Sequence, residues 1–422
     1  MRIIIAVEEF SVKKRYLEYF LARELARLGH KVSVFTFGWT KNISRTALKE
    51  GFEVISLPHV AVVKSYHIPS LRGIAYVSNF IADEKPDVLH CQPLDSPLSL
   101  LLVWLKNIHG YRVVGSILTQ LNLIFSPWSL EQKLLFSVSK ILVAAYSGKK
   151  SEAVFAKNEE LATLISRSYD IPQEKLRIVP LGSDPATFKF DSTKRLAVRK
   201  SLNVSENDVL VLYNGKIDPP KELDVLINAL APIINHDGNV KLLIMGEGDQ
   251  SYVKYLEKLI SGFGIRDKVI FQSWVDAKEI PAFYSASDIA VWPGLSSISI
   301  VDAASTGLPL VIARYPVETF AIENGNGFAF EIGNVGELRN FLEILIHNEK
   351  LRKEMGNKSR LLVEQKLNWT HIALQYLESY RSTATLNATP ADVNRATNVR
   401  RKMRIADCRL RFKFSFKTFE HD

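Results

Sequence analysis

The chain reads as an α/β protein made of two doubly wound parallel sheets, and three features of the sequence carry that reading. Short apolar runs alternate with amphipathic helical patterns along most of the length. The alternation pauses over a polar, mixed-charge segment at about 184–207 and restarts at Asp208. At 422 residues there is enough chain for two cores. Open sheets of this kind take ligands beyond the carboxyl ends of their strands, so two Rossmann-like sheets facing each other would enclose a central cleft.

In the first half, Arg2 to Val7 is an apolar run of strand length, followed by a helix from Arg15 to Leu28 with Tyr16, Phe20, Leu21 and Leu25 on its apolar side. Gly29 and His30 close that helix. Further strands are expected at Lys31 to Thr36, Phe52 to Leu57, Asp87 to Cys91 and Val113 to Ile117, the last after a helix at Ser99 to Lys106. Ala153 to Ala156 and Leu176 to Val179 supply later strands, and Pro180 to Asp184 a turn. The second half repeats the pattern, with strands at Val209 to Tyr213, Lys241 to Met245, Lys268 to Phe271, Ile289 to Trp292 and Leu310 to Ile312. Helices are expected at Gln250 to Leu259 and around Asp302 to Thr306, the latter ending at Gly307. The expected domains are therefore 1–186, a linker at 187–207, 208–365, a closing helix at 366–382 and a basic tail at 383–422.

Composition narrows the class. A hydrophobic content of 47% fits a globular chain, and no run reaches the roughly 18 apolar residues of a membrane helix. Leu98 to Leu105 and Ile141 to Tyr146 are the best candidates and are too short. Met1 to Val7 enters an apolar strand directly, without the basic region and cleavage site of a signal peptide, so a cytoplasmic location is expected. Cys91 and Cys408 give neither a disulfide framework nor metal-ligand spacing. The net charge of +9 calls for an anionic partner, and much of the excess lies beyond Arg381.

The most informative stretch is Val211 to Leu230. An apolar strand ends at Gly215, Lys216 and Lys221 bracket a turn containing Pro219 and Pro220, and Leu223, Leu226, Ile227 and Leu230 form the buried stripe of a helix. Two ammonium groups beside a helix start make a site for a phosphate or diphosphate. Four segments follow in order: Met245-Gly246-Glu247-Gly248-Asp249; the strand and loop through Trp274 and Val275; Trp292 to Ser299 opening the helix of Asp302; and Gly325-Asn326-Gly327.

In this ordered set the chain resembles the retaining sugar-nucleotide glycosyltransferases of family 4, which have the GT-B fold. The resemblance spans about 1–382 and is strongest from Val179 to Leu338. The family's G-R-x4-K turn appears as Gly215-Lys216 with Lys221, its P-N-G-V-D turn as Pro180 to Asp184 with Leu181 and Ser183 substituted, and its G-H-x-V turn as Gly29 to Val32. The helix from Trp369 to Tyr380 resembles the closing helix that packs back on the first domain. The resemblance assigns Lys216 and Lys221 to the donor diphosphate and Asp302 to the ribose hydroxyls, these three being the catalytic candidates. Gly215, Gly246, Trp274, Val275 and the backbone of Ser297, Ile298 and Ser299 are the further donor-binding candidates. Trp274 has a core-packing alternative. No D-x-D occurs in a metal-carrier context, so neither metal nor cofactor is implied.

Three departures stand out. The family's pair of glutamates eight positions apart is here Gly294 and Asp302. The glycine-rich loop after the first strand is replaced by Glu8 to Arg15, where Glu8 is either an acceptor contact or a solvated carboxylate and Lys13, Lys14 and Arg15 are either a solvated face or contacts to an anionic acceptor. After Ile117, where many members carry a histidine near the reacting sugar, stand Thr119 and Gln120, which can hydrogen-bond a hydroxyl but cannot act as bases near neutral pH. His90 is either a cleft residue or a core histidine; His30 is structural. From Cys408 to Phe419 basic and apolar residues alternate as in a strand, a ribbon suited to an anionic membrane surface or a sheet edge, with a disordered tail as the plainer reading. Nucleic acid is a poor fit to one short ribbon.

The function expected from the resemblance is retaining transfer of a sugar from a nucleoside-diphosphate donor to a hydroxyl of a glycan or lipid-linked saccharide, at the inner face of the membrane or free in the cytosol. The alternatives are a catalytically impaired GT-B scaffold or partner subunit, suggested by Gly294, and a sugar-nucleotide epimerase or a phosphorylase of the same fold. Against the phosphorylase stands the absence of a recognisable pyridoxal-phosphate lysine motif.

Overall fold

The computed structural model describes residues 1–382 apart from 13–15, 39–41, 64–65, 118–130, 132–133, 135–136, 139–140, 296–298, 315–320 and 323. Lys13, Lys14, Arg15 and the expected ribbon from Cys408 to Phe419 lie outside the described residues. Both sheets belong to one compact unit, Met1–Tyr376; a second unit begins at Leu377, inside the helix Trp369–Ser382.

The first half contributes β1 (Arg2–Val7), β2 (Lys31–Phe37), β3 (Ser44–Ala47), β4 (Glu53–Leu57), β5 (His59–Val63), β6 (Tyr66–Pro69), β7 (Val88–Gln92), β8 (Arg112–Ser116), β9 (Ala153–Ala156) and β10 (Leu176–Ile178). Eight of these form one sheet in the order β10-β9-β8-β7-β1-β2-β4-β3, parallel except for β3 against β4. β5 and β6 form a separate antiparallel hairpin. The central strands are apolar on both faces because helices cover both, and all but the first residue of β1 are buried. β3 has no apolar residue that marks a half-buried strand and is exposed throughout, which is why the sequence pattern does not show it.

The second half contributes β11 (Val209–Asn214), β12 (Val240–Met245), β13 (Val269–Gln272), β14 (Ile289–Trp292), β15 (Leu310–Ala313) and β16 (Gly327–Phe330), all parallel, in the order β13-β12-β11-β14-β15-β16. In each sheet the strand order reverses once. The reversal lies between β1 and β7 in the first sheet and between β11 and β14 in the second. At such a point the connections leave in opposite directions and open a crevice beyond the strand ends. Glu8 follows β1 at the first crevice, and Gly215 and Pro293 follow β11 and β14 at the second.

The polar segment before β11 is not simply a connector, since it contains the helix Ser192–Ser201, capped by Asp191, whose side chain accepts from Lys194 N. Arg199 is 1% exposed and its guanidinium donates to the carbonyls of Ala286, Ser205 and Asp208 and to Asp288 Oδ2. Arg195 donates to the carbonyls of Ser285, Ala286 and Ser287 and pairs with Asp288 at 2.8 Å. Two arginines thus hold a helix of polar composition to the start of β14, a tertiary cause that apolar periodicity does not report. The start of the closing helix packs on the first half: Trp369 stacks on Phe20 with ring centroids 5.0 Å apart, and Tyr376 lies against His90 and Phe155.

Removing the guanidinium by Arg199→Ala takes its donor from the Ser205 and Asp208 carbonyls and one of two arginines from Asp288, which keeps Arg195. The expected loss of stability is about 1.5–3 kcal/mol, read as a lowered urea midpoint at unchanged slope.

Candidate active site

The second crevice is built around the turn that follows β11. Tyr213, 1% exposed, donates its hydroxyl to the Lys216 carbonyl at 2.6 Å, and Gly215 N donates to Met245 O. Lys216 itself is exposed. The turn then pairs with the loop after β12 through Ile217 N to Glu247 O and Asp249 N to Ile217 O. A Cβ on Gly246, which has φ 144°, would come within 1.9 Å of Gly215 O, and one on Gly248 within 2.3 Å of Ile217 O. The Gly246-Glu247-Gly248 segment is therefore required by the chain's own lysine turn.

Pro219–Lys221 form one 3-10 turn and Glu222 is left-handed (φ 51°), so the helix Leu223–His236 begins after Lys221 rather than at the prolines. Lys221 is half-buried, and its ammonium donates to the carbonyl of Leu295 while Leu295 N donates to Pro220 O at 3.0 Å. A Cβ at Gly294 would lie 2.5 Å from Pro220 O and 2.6 Å from the Lys221 carbonyl carbon. The loop after β14 and the lysine turn are thus in backbone contact. Lys216 and Lys221 sit on the same turn, as the sequence reading requires, with Lys221 held by the opposing loop.

One residue ties the strand ends together. The Asn214 carbonyl accepts from Trp292 Nε1 and from Ser299 Oγ, each at 3.0 Å, and its side chain donates to the Tyr284 hydroxyl at 2.8 Å. Tyr284 in turn donates to Ser299 O at 3.3 Å. The Ser299 hydroxyl is therefore engaged in fixing the start of the helix Ser299–Ser305. Ser297 and Ile298 lie outside the described residues. Trp274 is 55% exposed, which excludes the core-packing alternative and leaves its ring at the surface beyond β13; Val275 is half-buried.

Asp302 is on the helix Ser299–Ser305, and Ser183 Oγ donates to its Oδ1 at 2.6 Å. Burial pushes the Asp302 carboxyl up to about 7, against the lowering effect of the Ser183 hydrogen bond and with a further rise from Asp184. Asn326 is fully buried and donates to Ala321 O and Ser359, so the Gly-Asn-Gly segment serves packing.

In the first crevice, Glu8 is not a solvated carboxylate. Its Oε2 accepts from His67 N at 2.7 Å and lies 3.0 Å from His67 Nδ1, and burial raises its pKa. That position at the end of β1 leaves it available as an acceptor contact only together with His67, which stacks on Phe37 at 4.9 Å. His90 is a core histidine and not a cleft residue: it is fully buried, bonded to Ser116 Oγ at 3.1 Å, and burial pushes its pKa down to about 3. Thr119 and Gln120 lie outside the described residues. Among the described residues no group of three or more His, Cys, Asp and Glu is arranged to hold a metal.

The family descriptions of the glycosyl transferases group 1 and of glycosyltransferase family 4 match residues 194–362 and 19–187. A glycosyltransferase of Methanocaldococcus jannaschii is 24% identical over 375 residues, 86% of this chain and 92% of the relative. The alpha-monoglucosyldiacylglycerol synthase of Streptococcus pneumoniae is 23% identical, over 70% of this chain and 66% of the relative. Among solved structures, sucrose-phosphate synthase from Thermosynechococcus elongatus superposes with a TM-score of 0.72 at 18% identity, covering 92% of this chain and 100% of the other. Anabaena HepE in complex with UDP-glucose gives 0.71 at 19%, covering 90% and 100%. The chain belongs with the family 4-like GT-B glycosyltransferases. It is a glycosyl-transferring enzyme.

Within a GT-B glycosyltransferase the unusual glycine now has a physical cause. A glutamate at position 294 would drive its Cβ into the backbone of the lysine turn, so this chain trades that carboxylate for direct contact between the two loops. Several residues of the GT-B site were not marked by the sequence. Asn214 and Tyr284 act through hydrogen bonds between distant segments, Trp292 is marked only as the start of its segment, and Ser183 appears in the sequence only as a substitution in a turn. Glu18, on the first turn of the helix Leu17–Arg27, accepts from Gln92 Nε2 at 2.7 Å at the end of β7, and burial pushes its carboxyl up to about 7. A glutamate three residues after the basic run Lys13 to Arg15 gives no sequence signal of that kind.

Restoring the family residue by Gly294→Glu is expected to damage this enzyme. Forcing a side chain into filled space costs about 1–3 kcal/mol or more, and binding of a nucleoside diphosphate should weaken along with the melting temperature, both readable in one thermal-shift titration. The buried carboxyl of Glu18 gives a second expectation. Its raised pKa means that the folded state holds the proton more tightly, so its contribution to stability is present at low pH and is lost as pH rises from the ordinary carboxylate range through about 7. Glu18→Gln should therefore gain melting temperature relative to the parent across that window, with the gap widening as pH rises.

Proposed function

We propose that the enzyme transfers a sugar from a nucleoside-diphosphate sugar to a hydroxyl of a glycan or lipid-linked saccharide, with retention at the anomeric carbon and without a metal or cofactor. The observation that carries this reading is the crevice between β11 and β14, where Lys216 and Lys221 share one turn beside the helix that bears Asp302. Cations held in place offset charge that develops on a departing diphosphate. In this reading the bond between the anomeric carbon and the phosphate oxygen breaks, the acceptor oxygen bonds to the same face of the sugar, and the acceptor proton passes to the leaving phosphate. Lys216 and Lys221 hold the diphosphate, and Asp302 accepts hydrogen bonds from the ribose diol. Backbone N–H groups at the start of the helix Ser299–Ser305 face the outer phosphate, and Trp274 and Val275 lie by the base.

The neighbouring HepE structure, which holds UDP-glucose, supports UDP as the first nucleotide to test. The Streptococcus relative, a synthase of a glucosylated diacylglycerol by name, supports a lipid-linked acceptor. Exposed apolar residues on the helix Pro97–His109, Trp104 at 53% and Ile108 at 60%, support the same choice and a peripheral place at an anionic membrane. Among the described residues no helix is long and apolar enough to cross a membrane.

A thermal-shift screen against UDP, GDP, ADP and CMP tests the donor. At about 100 times its dissociation constant the right diphosphate should stabilise by about 2.7 kcal/mol, and the shift should vanish in Lys221→Ala. No shift with any nucleotide would favour the impaired scaffold. The pH dependence follows from Asp302. A carboxylate accepts from the diol better than a carboxylic acid, and ionisation is centred at about 7, so donor affinity should rise with pH through that value. Asp302→Asn should be weaker at high pH and show a flat profile, measured as KM for the donor between pH 6 and 8.5.

A further inference from the structure

Two places where the chain departs from the family pattern touch each other. The turn after β10 reads Pro180-Leu181-Gly182-Ser183-Asp184, with serine where the pattern has valine, and the helix Ser299–Ser305 carries Asp302 where the pattern has glutamate. Ser183 Oγ donates to Asp302 Oδ1 at 2.6 Å, the length of a hydrogen bond to an ionised acceptor.

The serine is presented at a fixed point. It is fully buried, its N–H donates to Leu367 O at 2.8 Å, and its carbonyl accepts from Trp369 N at 3.1 Å. Gly182 before it lies so close to the closing helix that a Cβ would meet Trp369 and Ile372 at 3.0 Å. The aspartate is fixed as well, because its helix is tied at the start to Asn214 through Ser299 and carries at its end the Ser305 carbonyl, which accepts from Arg360. An aspartate is one methylene shorter than a glutamate, so its carboxyl group stays nearer the helix. A hydroxyl at 183 supplies the partner there, and a valine would leave Oδ1 without one.

We propose that Ser183 is a positioning residue for the donor nucleotide: its hydroxyl holds Oδ1 of Asp302 so that Oδ2 accepts from the ribose diol, and the serine and the aspartate are one compensating pair. This rests on the reading of Asp302 as the ribose-binding carboxylate. The pairing also places the ribose contact on the segment where the chain leaves the first half, next to the segment where it returns. The other ionisable groups around Asp302 are Asp184, whose charge is met by Arg23 at 3.1 Å, and Tyr284, fully buried on the helix Ile280–Ala286.

The test is calorimetric titration of the full chain with UDP and with 2′,3′-dideoxy-UDP from pH 6 to 8.5, for the parent, Ser183→Val, Ser183→Thr, Asp302→Asn and the double variant Ser183→Val with Asp302→Glu. Loss of one hydrogen bond to a charged group predicts that Ser183→Val weakens UDP by about tenfold, with little change for the dideoxy analogue. The acid limb of UDP affinity should move to higher pH, because the hydroxyl that lowers the Asp302 pKa is gone. Ser183→Thr should bind like the parent, and the double variant, which carries the family's own pair, should regain most of the affinity. The proposal is overturned if Ser183→Val binds UDP as the parent does, or loses both ligands equally with the acid limb unmoved. If Asp302→Asn also leaves UDP affinity intact, the ribose reading falls and takes the proposal with it. If Asp302→Asn loses the preference for the ribose hydroxyls while Ser183→Val keeps it, only the proposal falls.

Discussion

The second half is organised by a backbone contact in which side chains have no room. The lysine turn after β11 is held between the loop after β12, through Gly246 and Gly248, and the loop after β14, through Gly294. Each of these glycines meets a carbonyl of the turn at a distance that excludes a Cβ. Because the three loops are bonded main chain to main chain, the cations they carry are placed by the sheet itself and not by flexible packing. Lys221 then adds its own ammonium to the contact by capping the Leu295 carbonyl. A diphosphate arriving there would find one ammonium exposed and one already oriented, which limits the reorganisation left to the moment of reaction.

The same constraint explains how the enzyme tolerates an unusual site. A glutamate at 294 and a close loop contact are alternatives, since both need the same volume. The aspartate at 302 is a second change of the same kind, shortening a side chain at a place where another segment supplies a hydroxyl. The first replaces a long acidic side chain by backbone contact, and the second places a shorter one against a serine hydroxyl. In the first half the equivalent crevice is lined by carboxylates that burial has made weakly acidic, Glu8 beside His67 and Glu18 beside Gln92. Neither is a surface charge, and their partners come from β6 and β7.

The fold was legible because parallel strands covered by helices on both faces must be largely apolar: β9, β14 and β15 are wholly so, and β1, β11 and β12 but for one residue each. What the pattern missed is instructive. β3 is exposed and pairs only at an edge, and the helix Ser192–Ser201 is held by Arg195 and Arg199 rather than by an apolar stripe. His90 sits on a strand whose neighbours are all buried, and so is buried with them; a histidine at the end of an apolar run has two readings in sequence and one in space.

By itself the sequence determined the alternation of strands and helices, the two-sheet architecture, the place of the lysine turn and the place of Asp302 on the helix after β14. These follow from local periodicity, from glycine and proline at turns, and from motifs whose members lie within a few tens of residues of one another. Only the tertiary structure decided that Gly294 is required by the backbone of the lysine turn, that Ser183 meets Asp302, that Asn214 joins Trp292, Tyr284 and Ser299, and that Glu18 is a buried acid. Those facts depend on which segments the sheets bring side by side. Ser183 and Asp302 are 119 residues apart in the chain, and no local pattern can show that two such positions share a hydrogen bond.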